Sequence, residues 1–331
     1  MQRLFRWRVR SALAVMAWAA SAWVLPPMAQ AAELLPPGPI TLVVPYTPGG
    51  TTDLLARRVA QGMSDRLKRP VVVDNRPGGG TAIAASLVAR APADGRTLLV
   101  ASNATLAVNQ HLGMKLSYSP EDSFDYVSLL ASVPNGVVTR PDARWRSLAD
   151  VVASSRQGAP ASYGSMGSGT STHIAMEVLA HATGAKLIHA PYKGSAPALV
   201  DLMGGHVDVV VDTLVATLPH LREGKLRALA VLSAHRSASA PDIPTAREAS
   251  GQDIDIASWF GLVVPRGTPP AAIAALQRAA ADALNTPALQ TELGALGVDL
   301  TGSEPKAFGD FVAAQQRMVR EIISSNHLQL N

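Results

Sequence analysis

Three stretches of this 331-residue sequence carry residue types that can hold an anion without a charged side chain. They are Tyr46-Thr47-Pro48-Gly49-Gly50-Thr51-Thr52, Ser102-Asn103-Ala104-Thr105 and Ser165-Met166-Gly167-Ser168-Gly169-Thr170-Ser171-Thr172. Each follows a short apolar run and precedes a helical pattern. A helix N-terminus presents unpaired N–H groups and a partial positive charge, so an anion is stabilised there. Small residues let the anion approach the backbone, and hydroxyls add donors. The same residues are ordinary at turns and caps, so one such loop says little. Three of one design point to a cleft at the C-terminal ends of the strands, where open α/β sheets bind ligands.

Other chemistries find less support. No Gly-x4-Gly-Lys-Ser/Thr occurs, and the loop from Gly164 reads G-x-x-G-x-G rather than G-x-G-x-x-G, so no nucleotide cofactor is expected. Neither Ser165 nor Ser168 sits in a G-x-S-x-G elbow. His173, Glu177 and His181 share one face of a predicted helix, a pattern that reads as a mixed core and surface face rather than a metal site. Asp53 falls in the first turn of a helix, where it could cap N–H groups or receive a cationic group of a ligand. Lys193 lies in another strand-to-helix loop and is either solvated or turned to the anion. Asp212 and Thr213 end an apolar run and either face the cleft or terminate a strand, while Trp259 and Phe260 suit packing at a hinge.

The elements that must position these loops follow from periodicity. Ile40 to Val44 is a strand, and Asp53 to Lys68 a helix whose Leu55, Val59, Met63 and Leu67 recur at i+4. The cycle repeats through a strand at Val71 to Val73, a helix from Thr81 to Arg90 and a strand at Thr97 to Ala101. Strands near Gly136, Ala161, Leu187, Val207 and Leu226 alternate with helices to give a second α/β layer. The run Trp259 to Val264 and two amphipathic helices close the chain. The rhythm predicts an α/β protein with mainly parallel sheets. Its first lobe spans residues 32–133 with 258–331 and its second 134–257, joined by two crossings near Pro134 and Ser258.

Residues 1–31 read as a cleaved export signal: four arginines precede the uncharged run Ser11 to Val24, and Ala29-Gln30-Ala31 offers the cut. Without them the 29 basic residues fall to 25, equal to the 25 acidic ones, so no nucleic-acid surface is implied. The absence of cysteine excludes disulfides and thiolate sites, and the fold must rest on its core.

The ordered motifs Gly49-Gly50-Thr51-Thr52-Asp53, Val72-Val73-Asp74-Asn75-Arg76-Pro77-Gly78, Tyr163-Gly164-Ser165, Gly167-Ser168-Gly169-Thr170, Pro191-Tyr192-Lys193-Gly194, Gly204-Gly205-His206-Val207-Asp208 and Trp259-Phe260-Gly261-Leu262 run the length of the chain. In these the sequence resembles the Bug-type substrate-binding proteins of tripartite tricarboxylate transporters. The resemblance implies a periplasmic-binding-protein-like fold whose two lobes close on a small carboxylate, partly through ordered water. It places Tyr46, Thr47, Gly49, Gly50, Thr51 and Asp53 on one lip of the cleft with Ser102 behind. Ser165, Gly169, Thr170, Ser171 and His173 lie on the other lip, with Asp212 nearby. It further implies a monomer in the periplasm, a membrane permease as partner, and no catalysis, metal or cofactor. A sensor that docks on a receptor kinase and a serine hydrolase are the alternatives. Thr81 stands where the family commonly has glycine, and Tyr46-Thr47-Pro48 varies the lip where ligand choice is made. Thr170→Val is expected to weaken binding more than it lowers melting temperature.

Overall fold

The computed structural model describes residues 35–113 and 115–325; the export signal read at residues 1–31 lies outside them. Strand β1 (Ile40–Val44) leads through the first glycine loop into α1 (Thr51–Leu67), β2 (Val71–Asn75), α2 (Ala82–Ala89) and β3 (Thr97–Ser102). Alternation along β1 explains the layering: Ile40, Leu42 and Val44 enter one core with α1, while Val43 enters another with α2. After β3 the chain makes a π turn (Ala104–Val108) and a 3-10 turn (Asn109–His111), then the long strand β4 (Phe124–Val133).

Pro134 alone separates β4 from β5 (Asn135–Thr139), the first strand of a second sheet. There follow α3 (Leu148–Arg156), β6 (Ala161–Ser165), α4 (Ser171–Thr183), β7 (Leu187–Pro191), α5 (Ser195–Gly204), β8 (Val209–Thr213), α6 (Leu214–Arg222), β9 (Arg227–Val231) and α7 (Ala246–Ser250). The chain returns to the first sheet as β10 (Ser258–Pro265) and ends with α8 (Pro270–Leu284), α9 (Pro287–Gly294), β11 (Asp299–Leu300) and α10 (Pro305–Ser325). The strand orders are β11-β4-β10-β3-β1-β2 and β7-β6-β8-β5-β9.

The sheets are mixed rather than mainly parallel. β1 runs parallel to β2 and β3, but β10 is antiparallel to both β3 and β4, and β5 is antiparallel to β8 and β9. The reason is the pair of crossings. β5 and β10 enter their sheets from the side where the other sheet lies and so run against the βαβ strands, while β4 and β9 leave toward that side and run with them. The crossings are tied together, since Asn135 Nδ2 donates to Ile256 O at 2.7 Å and Ser258 Oγ donates to Asn135 Oδ1 at 2.8 Å. Trp259 packs edge-on against Phe308 and Phe311 of α10, and Phe260 is buried in the α1 core. α10 spans both cores: Phe308 and Val312 pack on the first sheet, and Val319 joins Ile174, Ala175 and Val108.

Candidate functional site

The Tyr46 loop sits against the second sheet. Thr47 N donates to Lys193 O at 3.0 Å, and Thr51 Oγ1 lies 2.6 Å from Thr213 Oγ1. The loop can come this close only because Gly194 has no side chain. With φ at +141°, a Cβ on Gly194 would stand 2.7 Å from Thr47 Oγ1. A Cβ on Gly50 would lie 3.2 Å from Ser195 Oγ.

These contacts bring three helix N-termini together: α1 begins after Gly50, α5 after Gly194 and α6 after Thr213. None of the three has a side-chain cap, so N–H groups of all three remain for another acceptor. Asp212, at the end of β8, lies among them. Its Oδ1 accepts from Ser195 Oγ at 2.9 Å and Thr213 N at 2.7 Å, whereas its Oδ2 is buried without a partner. Burial pushes this carboxyl up to about 7, against the pull of those hydrogen bonds. Thr47 Oγ1 is a second buried polar atom without a partner. The Tyr46 hydroxyl meets Ser102 Oγ at 3.0 Å, and burial raises it to about 12, so it is a neutral donor.

The Ser165 loop is built differently. Thr170 caps α4, donating to Gly167 O at 2.7 Å and accepting from His173 N at 3.4 Å. Thr172 Oγ1 accepts from Met166 N at 3.1 Å, and His173 Nδ1 accepts from Gly169 N at 3.1 Å. Ser171 Oγ reaches across to Ser258 Oγ at 2.6 Å. Beneath the loop the imidazoles of His173 and His189 stack at 4.0 Å, with Tyr163 on the far side of His189 at 4.8 Å. Burial, then the neighbouring His189, holds His173 down to about 3, and burial holds His189 down to about 4. Met166 shares a core with Tyr46 and Val44, which joins this loop to the first.

Of the residues read from sequence, Tyr46, Thr47, Gly50, Thr51 and Asp212 converge, with Ser102 behind Tyr46. Asp53 is turned to its own lobe: Gly49 N, Arg57 Nε and Asn75 Nδ2 all donate to it at 3.0 Å. Lys193 is exposed and contributes its carbonyl. Ser195 and Gly194, not singled out as ligand residues in the sequence, complete the cluster with Thr213, read there as facing the cleft or ending a strand. Their signal was present in a Gly-Ser pair at a strand-to-helix junction and a Thr before a helix. His189, 2.7 Å from Ser165 Oγ, carried no such signal, because it sits inside a strand. The pair does not form a hydrolytic dyad: His189 is a weak base, and Ser165 is fully buried. A surface depression of about 530 Å³ beside Tyr126, Ile273 and Lys306 shares no lining residue with the junction.

Two α/β layers that meet through helix ends and neutral donors, with paired crossings between them, make a periplasmic-binding-protein-like fold. The chain belongs to the tripartite tricarboxylate transporter receptor family, whose profile matches residues 55–328. Protein BugT of Bordetella pertussis is 37% identical over 285 residues, covering 85% of this chain and 87% of that one. Among solved structures, Rpa4515 of Rhodopseudomonas palustris with adipate has a TM-score of 0.84 and 35% identity, covering 88% of this chain and 98% of that one. MatC of Rhodopseudomonas palustris with bound malate has a TM-score of 0.83 and 30% identity, covering 87% and 99%. These relatives are receptors, and the chain is a solute-binding protein rather than an enzyme.

Proposed function

We propose that this receptor closes on a small organic carboxylate and delivers it to a membrane permease of the tripartite tricarboxylate type. The observation that carries this reading is the meeting of three uncapped helix N-termini, from α1, α5 and α6, at a junction lined by neutral hydroxyls. Together they favour one anionic group, and among the described residues no arginine or lysine pairs with Asp212. Adipate and malate in the two Rhodopseudomonas relatives support a carboxylate of that size. Tyr46, Thr47, Gly50 and Thr51 hold the ligand from one lobe and Ser195, Thr213 and Asp212 from the other. The Gly169–His173 turn shapes the far wall, and Asp53 braces the first loop.

In this reading residues 32–133 with 258–331 move as one lobe and 134–257 as the other, pivoting at Pro134 and Ser258. The protein acts as a monomer in the periplasm after losing residues 1–31. Among the described residues no helix is long and apolar enough to cross a membrane. The test is a thermal-shift screen of protein unfolded and refolded to strip ligand, against mono-, di- and tricarboxylates, amino acids and aromatic acids. A ligand at a hundred times its Kd should add about 2.7 kcal/mol. A shift confined to carboxylates supports the reading, and no shift with any acid rejects it. Capture of the permease membrane subunits by the liganded form alone tests the partner.

A further inference from the structure

A ligand carboxylate at this junction meets a carboxylate that is already there. Asp212 is fully buried, its Oδ1 is bound by Ser195 and Thr213, and its Oδ2 has no partner. The groups that surround it are neutral. Tyr46 faces it from the β1–α1 loop with its hydroxyl protonated, Gly136 lies opposite on β5, and Ser195 and Thr213 begin α5 and α6. The nearest charged side chains of the same loops are turned elsewhere: Asp53 is held by Arg57 and Asn75, and Lys193 is exposed.

Each helix end contributes about half a positive charge. Three of them can hold one ionised carboxylate in a site closed to water, but two ionised carboxylates there would leave net negative charge without solvent or a cation to offset it. One of the two must be neutral, or the ligand must bring its own cation. Resting on the carboxylate-receptor reading above, we infer that the ligand is an amine-free carboxylate, and that Asp212 takes a proton from solvent on binding and donates it from Oδ2 to the ligand. The height of the Asp212 carboxyl, about 7 with burial as the main cause, makes that proton available near neutral pH. Asp212 is thereby the residue that sets ligand class: a protonated acid selects an acceptor, whereas an ionised one would select an ammonium group.

Isothermal titration calorimetry decides this with adipate and malate as probes, in pairs of buffers that differ in ionisation enthalpy, at pH 6 and pH 8. The wild type should take up close to one proton per ligand at pH 8, and its affinity should fall about tenfold from pH 6 to pH 8. Asp212→Asn should show no proton uptake and the same affinity at both pH values. Binding of either acid by the wild type without proton uptake overturns the inference and leaves the carboxylate-receptor reading standing. So does binding of aspartate or glutamate alone, without uptake and weakened by Asp212→Asn. Absence of binding by every acid rejects both. The proton count is read on the wild type, so the result does not depend on the variant folding.

Discussion

The loop from Tyr46 to Thr52 and the loop from Ser165 to Thr172 share a composition of glycines and hydroxyls, yet they use it in opposite ways. In the first, α1 starts with no cap, Thr47 Oγ1 is without a partner, and Thr51 reaches the other lobe. In the second, Thr170 caps its own helix, Thr172 and His173 accept backbone N–H groups, and Ser165 is engaged by Gly167 and His189. A loop that spends its donors internally has few left for a ligand, while one that leaves them open has donors to offer. Composition cannot separate the two, because capping and ligand binding ask for the same side chains.

The contrast breaks most severely at Gly194, whose bare backbone lets the first loop approach. Gly194→Ala places a Cβ 2.7 Å from Thr47 Oγ1 at φ +141°, so the first loop must withdraw. Ligand affinity should fall about 100-fold, or about 2.7 kcal/mol, by calorimetry. Gly184→Ala is the control, a positive-φ site with nothing within 4 Å, which should lower melting temperature and spare binding. Equal affinities in the two variants would mean that the approach of Gly194 to Thr47 plays no part in closure.

The two sides also differ in their response to pH. His173 and His189 are held neutral by burial, with folded values near 3 and 4, below the usual value for histidine. Their contribution to stability is complete above the unfolded value near 6.5 and is lost as pH falls toward the folded values. For His173 the loss should be on the order of 2 kcal/mol between pH 6.5 and 4.5. Urea unfolding across this range should show that slope in the wild type and a shallower one in His173→Asn. Parallel profiles would mean the imidazole is not buried neutral. Asp212 has the opposite sign. Its raised carboxyl contributes stability below the unfolded carboxylate value, and this is lost as pH rises through about 7, so the ligand-free Asp212→Asn variant should gain on the wild type toward pH 8.

Much of this was legible in the sequence. The i+4 spacing of Leu55, Val59, Met63 and Leu67 predicts α1, and all four are buried in it. The glycine loops marked the junction because few residues other than glycine permit such close approach. What escaped was relational. β10 reads as an ordinary apolar run and β4 goes unread, and only their pairing shows that they run antiparallel. α6 carries Pro219 inside it, which spoils its pattern. Thr81 occupies a conformation with φ at +81° that is costly for a β-branched residue; Thr105 Oγ1 and Asn109 Nδ2 hold its hydroxyl there. Asn75 shows the same gap between motif and mechanism. The Asn-Arg-Pro-Gly motif was visible, but not that Asn75 braces the first loop through Tyr46 O and Asp53.

A matched pair of substitutions sharpens the comparison at smaller scale. Thr51→Val removes a hydroxyl that contacts only the other lobe, and should weaken ligand binding about tenfold while leaving stability nearly unchanged. Thr170→Val removes a helix cap with three hydrogen-bonding neighbours, and should cost about 1 kcal/mol of stability with the smaller effect on binding. This reverses the expectation that composition alone suggests for Thr170, since its hydroxyl is committed to the loop. Thermal melts and titrations of both variants check it, and a larger binding loss in Thr170→Val would restore the second loop as the donor surface.

The smallest effect concerns what braces the open loop. Burial alone would raise the Asp53 carboxyl, but hydrogen bonds from Arg57, Gly49 and Asn75 hold it below the usual range. Arg57 is the most exposed of these, its side chain 54% exposed against 6% for Asp53, and an i,i+4 pair with one exposed partner contributes somewhat more than the ~0.3–0.5 kcal/mol of a fully exposed one. The Gly49 N–H and the Asn75 amide fix the turn itself, and Asn75 also donates to Tyr46 O at 3.1 Å. Arg57→Gln, which keeps a hydrogen-bond donor, should therefore lower stability by no more than about 1 kcal/mol and leave affinity unchanged, whereas Asn75→Ala should lower both. A loss of affinity in Arg57→Gln equal to that in Asn75→Ala would mean that the guanidinium, not the backbone turn, keeps the donors of the first loop in place.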